Sequence, residues 1–188
     1  MKNKLKHIFW LDLEMTGLDP AVDKILQAAL VVTDTDLSII EEMCFEISTS
    51  EEDLALMGDY VFEMHTKSGL IEKVRNSELT LNQVESKLEN MIRRFKGNEP
   101  AVLAGNSIWA DRRFLKSQMS TIDKLFHYRM IDVSSLKVLV GMWLGEEGIY
   151  NKPKDEEHTA LFDVRQSIEE LRFYRKLLFD KSVYVGKN

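Results

Sequence analysis

The chain has 188 residues, of which 30% are charged and 44% hydrophobic, as is usual for a soluble globular protein. Its 25 Lys and Arg residues against 31 Asp and Glu residues give a formal charge of −6, which argues against a protein that grips long nucleic acid through a basic face. No apolar run of about 20 residues is present, which excludes a membrane-spanning helix. Cys44 is the single cysteine, which excludes an intrachain disulfide and a cysteine-rich zinc site.

The start of the chain bears on its location. MKNKLKHIFW is basic and then apolar, but Asp12 and Glu14 end the apolar stretch too early for a signal peptide. We therefore expect a cytoplasmic protein with no membrane association.

Three strands are predicted first, over residues 7–14, 25–34 and 37–47. The segment ILQAALVVTD is rich in apolar and β-branched residues, and the turn signals at Asp34–Asp36 predict an antiparallel hairpin.

A helix follows over Thr80–Phe95, where Thr80 and Gln83 form a capping box. Its apolar residues recur at steps of three and four, which predicts a core-facing stripe. The remaining predicted elements are a strand over 101–106, a helix over 109–119, a strand over 128–133, a helix over 134–144, a loop over 145–157 and a helix over 159–179. Three strands followed by alternating helices and strands predict a single α/β domain over residues 1–188 with a mixed β-sheet.

The first strand carries two acidic residues in apolar surroundings. Side chains two apart on a strand project on the same side, so the Asp12 and Glu14 carboxylates are expected to lie close together on one face of the sheet. Two neighbouring carboxylates repel and are costly to bury without a partner. The pair therefore indicates a bound cation.

Two further acids follow predicted element boundaries. Asp111 stands at the start of a helix, where it would also suit the helix dipole, and Asp163 stands early in the last helix, where it would also suit a solvated face. If both instead converge on Asp12 and Glu14, the four carboxylates form a site for Mg²⁺ or Mn²⁺. Two such ions roughly 3.5–4 Å apart stabilise the attacking and leaving oxygens of a phosphoryl displacement.

The pattern Asp12-x-Glu14, Asp111, His158-x4-Asp163 resembles the DEDDh exonucleases of the ribonuclease H-like fold. Five ordered blocks resemble the oligoribonuclease family within that group: FWLDLEMTGLDP (9–20), MHTKSGL (64–70), LAGNSIWADRRFL (103–115), HYRMIDVSSLK (127–137) and HTALFDVRQSIEELRFYR (158–175). The resemblance implies a mixed β-sheet flanked by α-helices. It also implies a 3′-to-5′ exoribonuclease that degrades very short RNA, especially 5′-phosphorylated dinucleotides, to nucleoside 5′-monophosphates.

The same resemblance implies the catalytic residues. Asp12, Glu14, Asp111 and Asp163 would hold two divalent cations, and His158 would take the proton from the attacking water. The ordinary histidine pKa of about 6.5 suits that task near neutral pH. Because side chains four apart are neighbours on a helix, we place His158 in the loop before the last helix or in its first turn.

Several substrate contacts are implied by the family motifs. Leu18 would wedge between the two bases, Tyr60 would stack on a base where the family usually has tryptophan, and His65 would lie near the 3′-terminal nucleotide. A 5′-phosphate cap would use Ser107, Arg129 and Ser134, with Ser135 beside them.

The HYRMID motif implies a homodimer in which Tyr128 and Arg129 reach the neighbouring site. An isologous dimer is also the commonest oligomer. Two departures from the family pattern, Thr159 and Phe162, bear on the local charge beside Asp163.

Three alternatives remain open from the sequence. The chain could be a DEDDh exonuclease acting on longer RNA or DNA, or a catalytically inactive nucleotide-binding module. The run from Asp12 to Thr16 also resembles the D-x-D-x-T motif of aspartate-nucleophile phosphatases, although its second acid is Glu14.

Overall fold

A single mixed sheet forms the centre of the protein in a computed structural model that describes residues 5–153 and 159–179. The strands within these residues are β1 (His7–Met15), β2 (Ile25–Asp34), β3 (Ile39–Glu46), β4 (Ala101–Gly105) and β5 (Phe126–Asp132), in the spatial order β3-β2-β1-β4-β5. The pairs β1–β2 and β2–β3 are antiparallel, whereas β1–β4 and β4–β5 are parallel. The predicted fold class is confirmed.

Helices cover both faces of the sheet. They are α1 (Glu51–Leu54), α2 (Asp59–Lys67), α3 (Leu70–Asn76), α4 (Leu81–Lys96), α5 (Trp109–Gln118), α6 (Ser120–Asp123), α7 (Val133–Leu144) and α8 (Ala160–Phe179), with a 3-10 helix at Glu146–Gly148. The predicted strands and long helices agree with these bounds to within two residues. The 3-10 helix lies inside the segment predicted as a loop, and residues 154–157 of that segment lie outside the described residues.

The alternation along β1 divides the core into two layers. Phe9 and Leu11 pack against α4 and α5 on one face, whereas Trp10 packs against α7 and α8 on the other. Trp10 is fully buried, and its Nε1 donates a hydrogen bond to Thr33 Oγ1 at 3.0 Å. The sheet is therefore sandwiched between two helical layers.

The capping box predicted for α4 is confirmed. The Thr80 side chain accepts from the Gln83 backbone N–H, and the Gln83 side chain accepts from the Thr80 N–H at 2.9 Å. A third apolar cluster joins α1 and α3 to Leu26, the second residue of β2. Across the part of the chain that the structure describes, no helix combines the length and apolar character needed to cross a bilayer.

Candidate active site

The two acids of β1 face the layer formed by α7 and α8. Leu11 and Leu13 point into the opposite core, so Asp12 and Glu14 share the side of Trp10. Both carboxylates are partly buried. The alternation of side chains along β1 thus places both acids next to the first turn of α8.

Asp163 approaches this pair from α8. Thr159 caps the helix, because its carbonyl oxygen accepts from the Asp163 N–H at 2.9 Å and its Oγ1 accepts from the Phe162 N–H at 3.4 Å. Carboxylate oxygens of Asp12, Glu14 and Asp163 all lie within 4.8 Å of one another. Two neighbouring acids of β1 and one acid about 150 residues later therefore form one group with suitable spacing for a metal ion.

Asp111 lies beside this group, in the first turn of α5. It is buried, and its Oδ1 accepts a hydrogen bond from the Leu13 backbone N–H at 3.0 Å. Because Leu13 lies between the two acids of β1, this bond holds Asp111 against the same stretch of strand. The end of β4, just before α5, also lies close to β1. A Cβ on Gly105 would lie 2.9 Å from the Leu11 carbonyl oxygen.

The electrostatics of the group favour protons or cations. Burial raises the pKa of Asp12 well above its usual range, and the charges of Asp111, Glu14 and Asp163 add to the effect. Burial and the Asp163 and Asp111 charges raise the pKa of Glu14 to about 8, and burial raises the pKa of Asp111 to about 7. Carboxylates in such surroundings gain stability when a cation neutralises them.

A lysine contacts the group where positive charge is needed. Lys152 Nζ lies 3.2 Å from Asp163 Oδ1, and its charge lowers the pKa of Asp12. Lys152 belongs to the polar segment that leads toward His158. His158 itself lies outside the described residues.

Leu18 lies on a tightly bonded turn that follows β1. Thr16 Oγ1 donates to Asp23 Oδ1 at 2.9 Å, and Gln118 Nε2 of α5 donates to the Asp23 carbonyl at 2.6 Å. Gly17 leaves room for this arrangement, because a Cβ there would lie 2.5 Å from the Asp23 carboxylate and force it to shift. The turn leaves the Leu18 side chain 77% exposed, as an insertion between bases would need.

Helix α2 carries the two residues predicted to handle a base. Tyr60 is 79% exposed, whereas His65 is 2% exposed. His65 Nε2 lies 2.9 Å from the Met15 carbonyl oxygen, and its Nδ1 lies 3.9 Å from Glu14 Oε2. Burial lowers the pKa of His65, and because a carbonyl oxygen can only accept, Nε2 donates to Met15.

The serines predicted to cap a 5′ phosphate are brought together at the ends of β4 and β5. The Ser107 backbone N–H donates to Ser134 Oγ at 2.9 Å and to Asp132 Oδ1 at 3.0 Å. The two serine hydroxyls lie 3.2 Å apart. Ser107 has a φ of 48°, in the left-handed region, and Ser135 is exposed on the first turn of α7.

Sequence reasoning missed a residue that positions α8. Gln27 is 2% exposed on β2, in register with Glu14, and its Oε1 accepts from the Ala160 N–H at 2.9 Å. It thereby fixes the start of the helix that carries Asp163. A lone amide inside the apolar run ILQAALVV is the signal that could have revealed it.

Comparison of the sequence with known proteins identifies the family of this chain. The exonuclease family model matches residues 9–171. The chain is 42% identical over 175 residues to the oligoribonuclease of Vibrio vulnificus, a match that covers 93% of this chain and 96% of that protein. It is 38% identical over 180 residues to the oligoribonuclease of Buchnera aphidicola, covering 95% and 96% of the two chains.

The chain belongs to the oligoribonuclease family. The expected activity of a 3′-to-5′ exoribonuclease that degrades short oligoribonucleotides is confirmed at the level of this family. Membership of the family, together with the carboxylate group, also indicates use of divalent metal.

Solved structures support the fold of this oligoribonuclease family member. A zinc-bound complex of E. coli exonuclease I with single-stranded DNA has a TM-score of 0.72 at 16% identity, covering 97% of this chain and 43% of that one. Exonuclease I of Methylocaldum szegediense has a TM-score of 0.69 at 18% identity, covering 96% and 42%. The present chain thus spans less than half the length of these exonucleases, which share its fold.

Proposed function

We propose that the chain hydrolyses 5′-phosphorylated diribonucleotides to nucleoside 5′-monophosphates by a two-metal mechanism in the cytoplasm. The observation that supports this most directly is the convergence of Asp12, Glu14 and Asp163 within 4.8 Å, with Asp111 beside them. These residues come from a central strand and from the first turns of two helices. Nothing in the packing of a plain helix face would require that arrangement.

The four carboxylates fit Mg²⁺ or Mn²⁺. Both ions prefer hard oxygen ligands, and the raised pKa values show that this group benefits from added positive charge. When bound, two such ions supply charge to the phosphate and lower the pKa of a coordinated water. The ion pair between Lys152 and Asp163 supports a preference for positive charge at this position.

His158 is proposed as the general base. It directly precedes Thr159, the cap of the helix whose first turn carries Asp163. His158 takes a proton from water as the water oxygen bonds to phosphorus. The bond from phosphorus to the 3′ oxygen then breaks, and that oxygen takes up a proton as the 3′ hydroxyl of the remaining nucleotide.

The predicted substrate residues are proposed to bound a site of limited length. Leu18 and Tyr60 offer exposed apolar surface for the bases. His65 is hydrogen-bonded to the Met15 carbonyl oxygen and lies beside Glu14. We propose that it lies near the 3′-terminal nucleotide. Ser107 and Ser134, with Arg129 and Ser135, would close the other end on the 5′ phosphate, which arginine grips bidentately.

A homodimer would complete the site. Tyr128 is 72% exposed, and Arg129 stacks over its ring with the guanidinium carbon 5.2 Å from the ring centre. Both lie on β5, which ends one side of the sheet, and the adjoining helix α7 exposes Met142 and Trp143. An exposed edge strand beside apolar surface fits a two-fold interface that carries Tyr128 and Arg129 into the partner's site.

The proposal is tested with the purified full-length chain. A 5′-phosphorylated diribonucleotide and a seven-nucleotide RNA are each incubated with Mn²⁺ or with EDTA, and Asp163→Ala controls for contaminating nuclease. We expect metal-dependent conversion of the dinucleotide to monophosphates, faster than cleavage of the longer RNA. Equal or faster cleavage of the longer RNA would contradict the dinucleotide specificity, and cleavage of neither would favour an inactive binding module.

A further inference from the structure

A buried carboxylate on α8 has no part in the mechanism above. Glu170 is 1% exposed and lies about two turns beyond Asp163. Its Oε2 accepts from Asn106 Nδ2 at 2.9 Å, and its Oε1 accepts from the Tyr174 hydroxyl at 3.0 Å. Burying a charge is costly, so its retention here calls for a role.

The Glu170 charge fixes the orientation of one amide. Asn106 Nδ2 donates to Glu170 and also to Ser167 Oγ at 2.9 Å. A flipped Asn106 would place its oxygen against the carboxylate oxygen, where both groups are acceptors. Asn106 Oδ1 therefore faces away from Glu170.

That orientation sets the direction of the serine hydrogen bonds. Ser134 Oγ donates its single proton to Asn106 Oδ1 at 3.1 Å, so it acts as the acceptor for the Ser107 N–H at 2.9 Å. The Ser107 hydroxyl, 3.2 Å from Ser134 Oγ, is therefore the donor in that contact. The strained φ of Ser107 is thus held by bonds that lead back to Glu170.

The same bonds reach the acidic group. Ser167 Oγ, which receives the Asn106 amide, donates to the Asp163 carbonyl oxygen at 2.9 Å. The turn of α8 that carries Asp163 and the two serines therefore belong to one continuous polar array. Asn106 is its centre.

We propose that Glu170 and Asn106 are positioning residues for recognition of the substrate's 5′ phosphate. Glu170 orients Asn106, and Asn106 holds Ser134 as an acceptor, so that the Ser107 hydroxyl is the donor of the serine pair. When substrate binds, the Ser107 hydroxyl turns from Ser134 Oγ to the phosphate. The array also fixes the separation between the phosphate cap and Asp163, and hence the length of RNA that fits. The inference rests on the proposed cap, which the experiment tests separately.

The test compares Glu170→Gln with Glu169→Gln. Glutamine keeps the size of Glu170 but removes the charge that orients Asn106. Glu169 is the matched control because it lies one residue away, is 48% exposed and pairs with Arg172. For each protein, kcat and KM are measured on a 5′-phosphorylated and a 5′-hydroxyl diribonucleotide, and Kd for both is measured in EDTA.

We expect Glu170→Gln to raise KM and Kd for the phosphorylated dinucleotide about tenfold, the effect of losing roughly one positioned hydrogen bond. The 5′-hydroxyl dinucleotide should change less than about twofold, since it lacks the group that the array positions. Glu169→Gln should behave as the unaltered chain. Equal losses on both substrates, or no loss on either, would overturn the inference.

A Ser107→Ala variant separates the two proposals. If the unaltered chain shows no preference for a 5′ phosphate and Ser107→Ala changes nothing, the cap itself is wrong and the inference falls with it. If the preference exists and depends on Ser107 but not on Glu170, only the inference is overturned. Should Glu170→Gln not fold, Asn106→Ala removes the same link and carries the same expectation, and an unchanged phosphate preference there would also overturn it.

Discussion

The acidic centre and the surface around it are held in different ways. Asp12, Glu14 and Asp111 are wholly or partly buried against the central strand and the helices beside it. Leu18 and Tyr60, proposed to hold the bases, are 77% and 79% exposed. The fold itself thus fixes the groups proposed for chemistry, whereas the two side chains proposed to hold the bases extend into solvent.

This difference has an energetic side. Clustered carboxylates with raised pKa values weaken the folded state, because burial and mutual repulsion oppose their charge. Exposed side chains carry no such cost. Substitutions in the acidic centre should therefore abolish activity while stabilising the metal-free protein, and substitutions on the surface should mainly change substrate affinity.

The largest effect is expected for Asp12→Asn. Activity should fall by more than about 100-fold. Replacing a residue that only hydrogen-bonds to a metal ligand already lowers activity or metal affinity by about 10- to 100-fold, and loss of a ligand should cost more. The metal-free variant should also have a higher Tm, because it lacks one repelling carboxylate. Turnover and calorimetry in EDTA provide the measurements, with exposed Asp36→Asn as the control. A lower Tm for Asp12→Asn than for Asp36→Asn would contradict the energetic argument.

The next effect concerns pH. Glu14 and Asp111 have pKa values of about 8 and about 7, against roughly 4 in an unfolded chain. Between about pH 4 and pH 8 the folded chain therefore binds more protons than the unfolded chain. The free energy of unfolding should therefore fall as pH rises, by up to about 1.4 kcal/mol per pH unit for each such group.

Calorimetry from pH 5 to 9, with EDTA or Mn²⁺, checks this expectation. Metal competes with the same protons, so stabilisation by Mn²⁺ should grow as pH rises and level off above pH 8. Glu14→Gln should show a shallower pH dependence without metal. A Tm that rises with pH equally in both proteins would exclude these carboxylates as the cause.

A smaller effect is expected for Arg129→Ala. KM for a 5′-phosphorylated dinucleotide should rise about tenfold, because a charged hydrogen bond to phosphate is lost. The control is Arg93→Ala. Arg93 lies on α4, on the face of the sheet opposite α7 and α8, and pairs with Glu89.

Mixing subunits tests where Arg129 acts. If it reaches the neighbouring site, mixed dimers of Arg129→Ala and Asp163→Ala contain one intact site and should recover activity above that of either variant. No recovery after subunit exchange would place Arg129 in its own subunit's site.

The smallest effect is expected for Tyr60→Trp, which restores the family's usual residue. A larger ring stacks more strongly, so KM for a dinucleotide should fall about threefold with little change in kcat. Tyr60→Ala should move KM in the opposite direction. Unchanged KM in both variants would show that no base stacks on α2.

The sequence predicted the elements with clear periodicity. The capping box and apolar stripe of α4 are local signals, and the alternation along β1 was enough to place Asp12 and Glu14 on one side. The short helices α1 and α6 were missed because four residues are too few to display a helical period. Helices α2 and α3 were missed as well, since their apolar residues pack in a cluster with Leu26 from the distant β2.

Convergence of the acids required more than local patterns. Asp111 and Asp163 each suit an ordinary helix start, and only the family resemblance predicted that they meet. The roles proposed for Gln27, Asn106 and Glu170 depend on hydrogen bonds across 28 to 133 residues of chain. No spacing within the sequence encodes such contacts.

The central position of β1 has a consequence for how the enzyme loses its activity. β1 is paired on both sides, and its Trp10 is fully buried. Amide protons of this strand should be among the slowest to exchange with solvent, whereas those of the edge strand β5 should exchange through smaller openings. Under mild denaturant, Tyr128 and Arg129 on β5, which are proposed to bind substrate, should therefore be displaced before Asp12 and Glu14 on β1, which are proposed to bind metal.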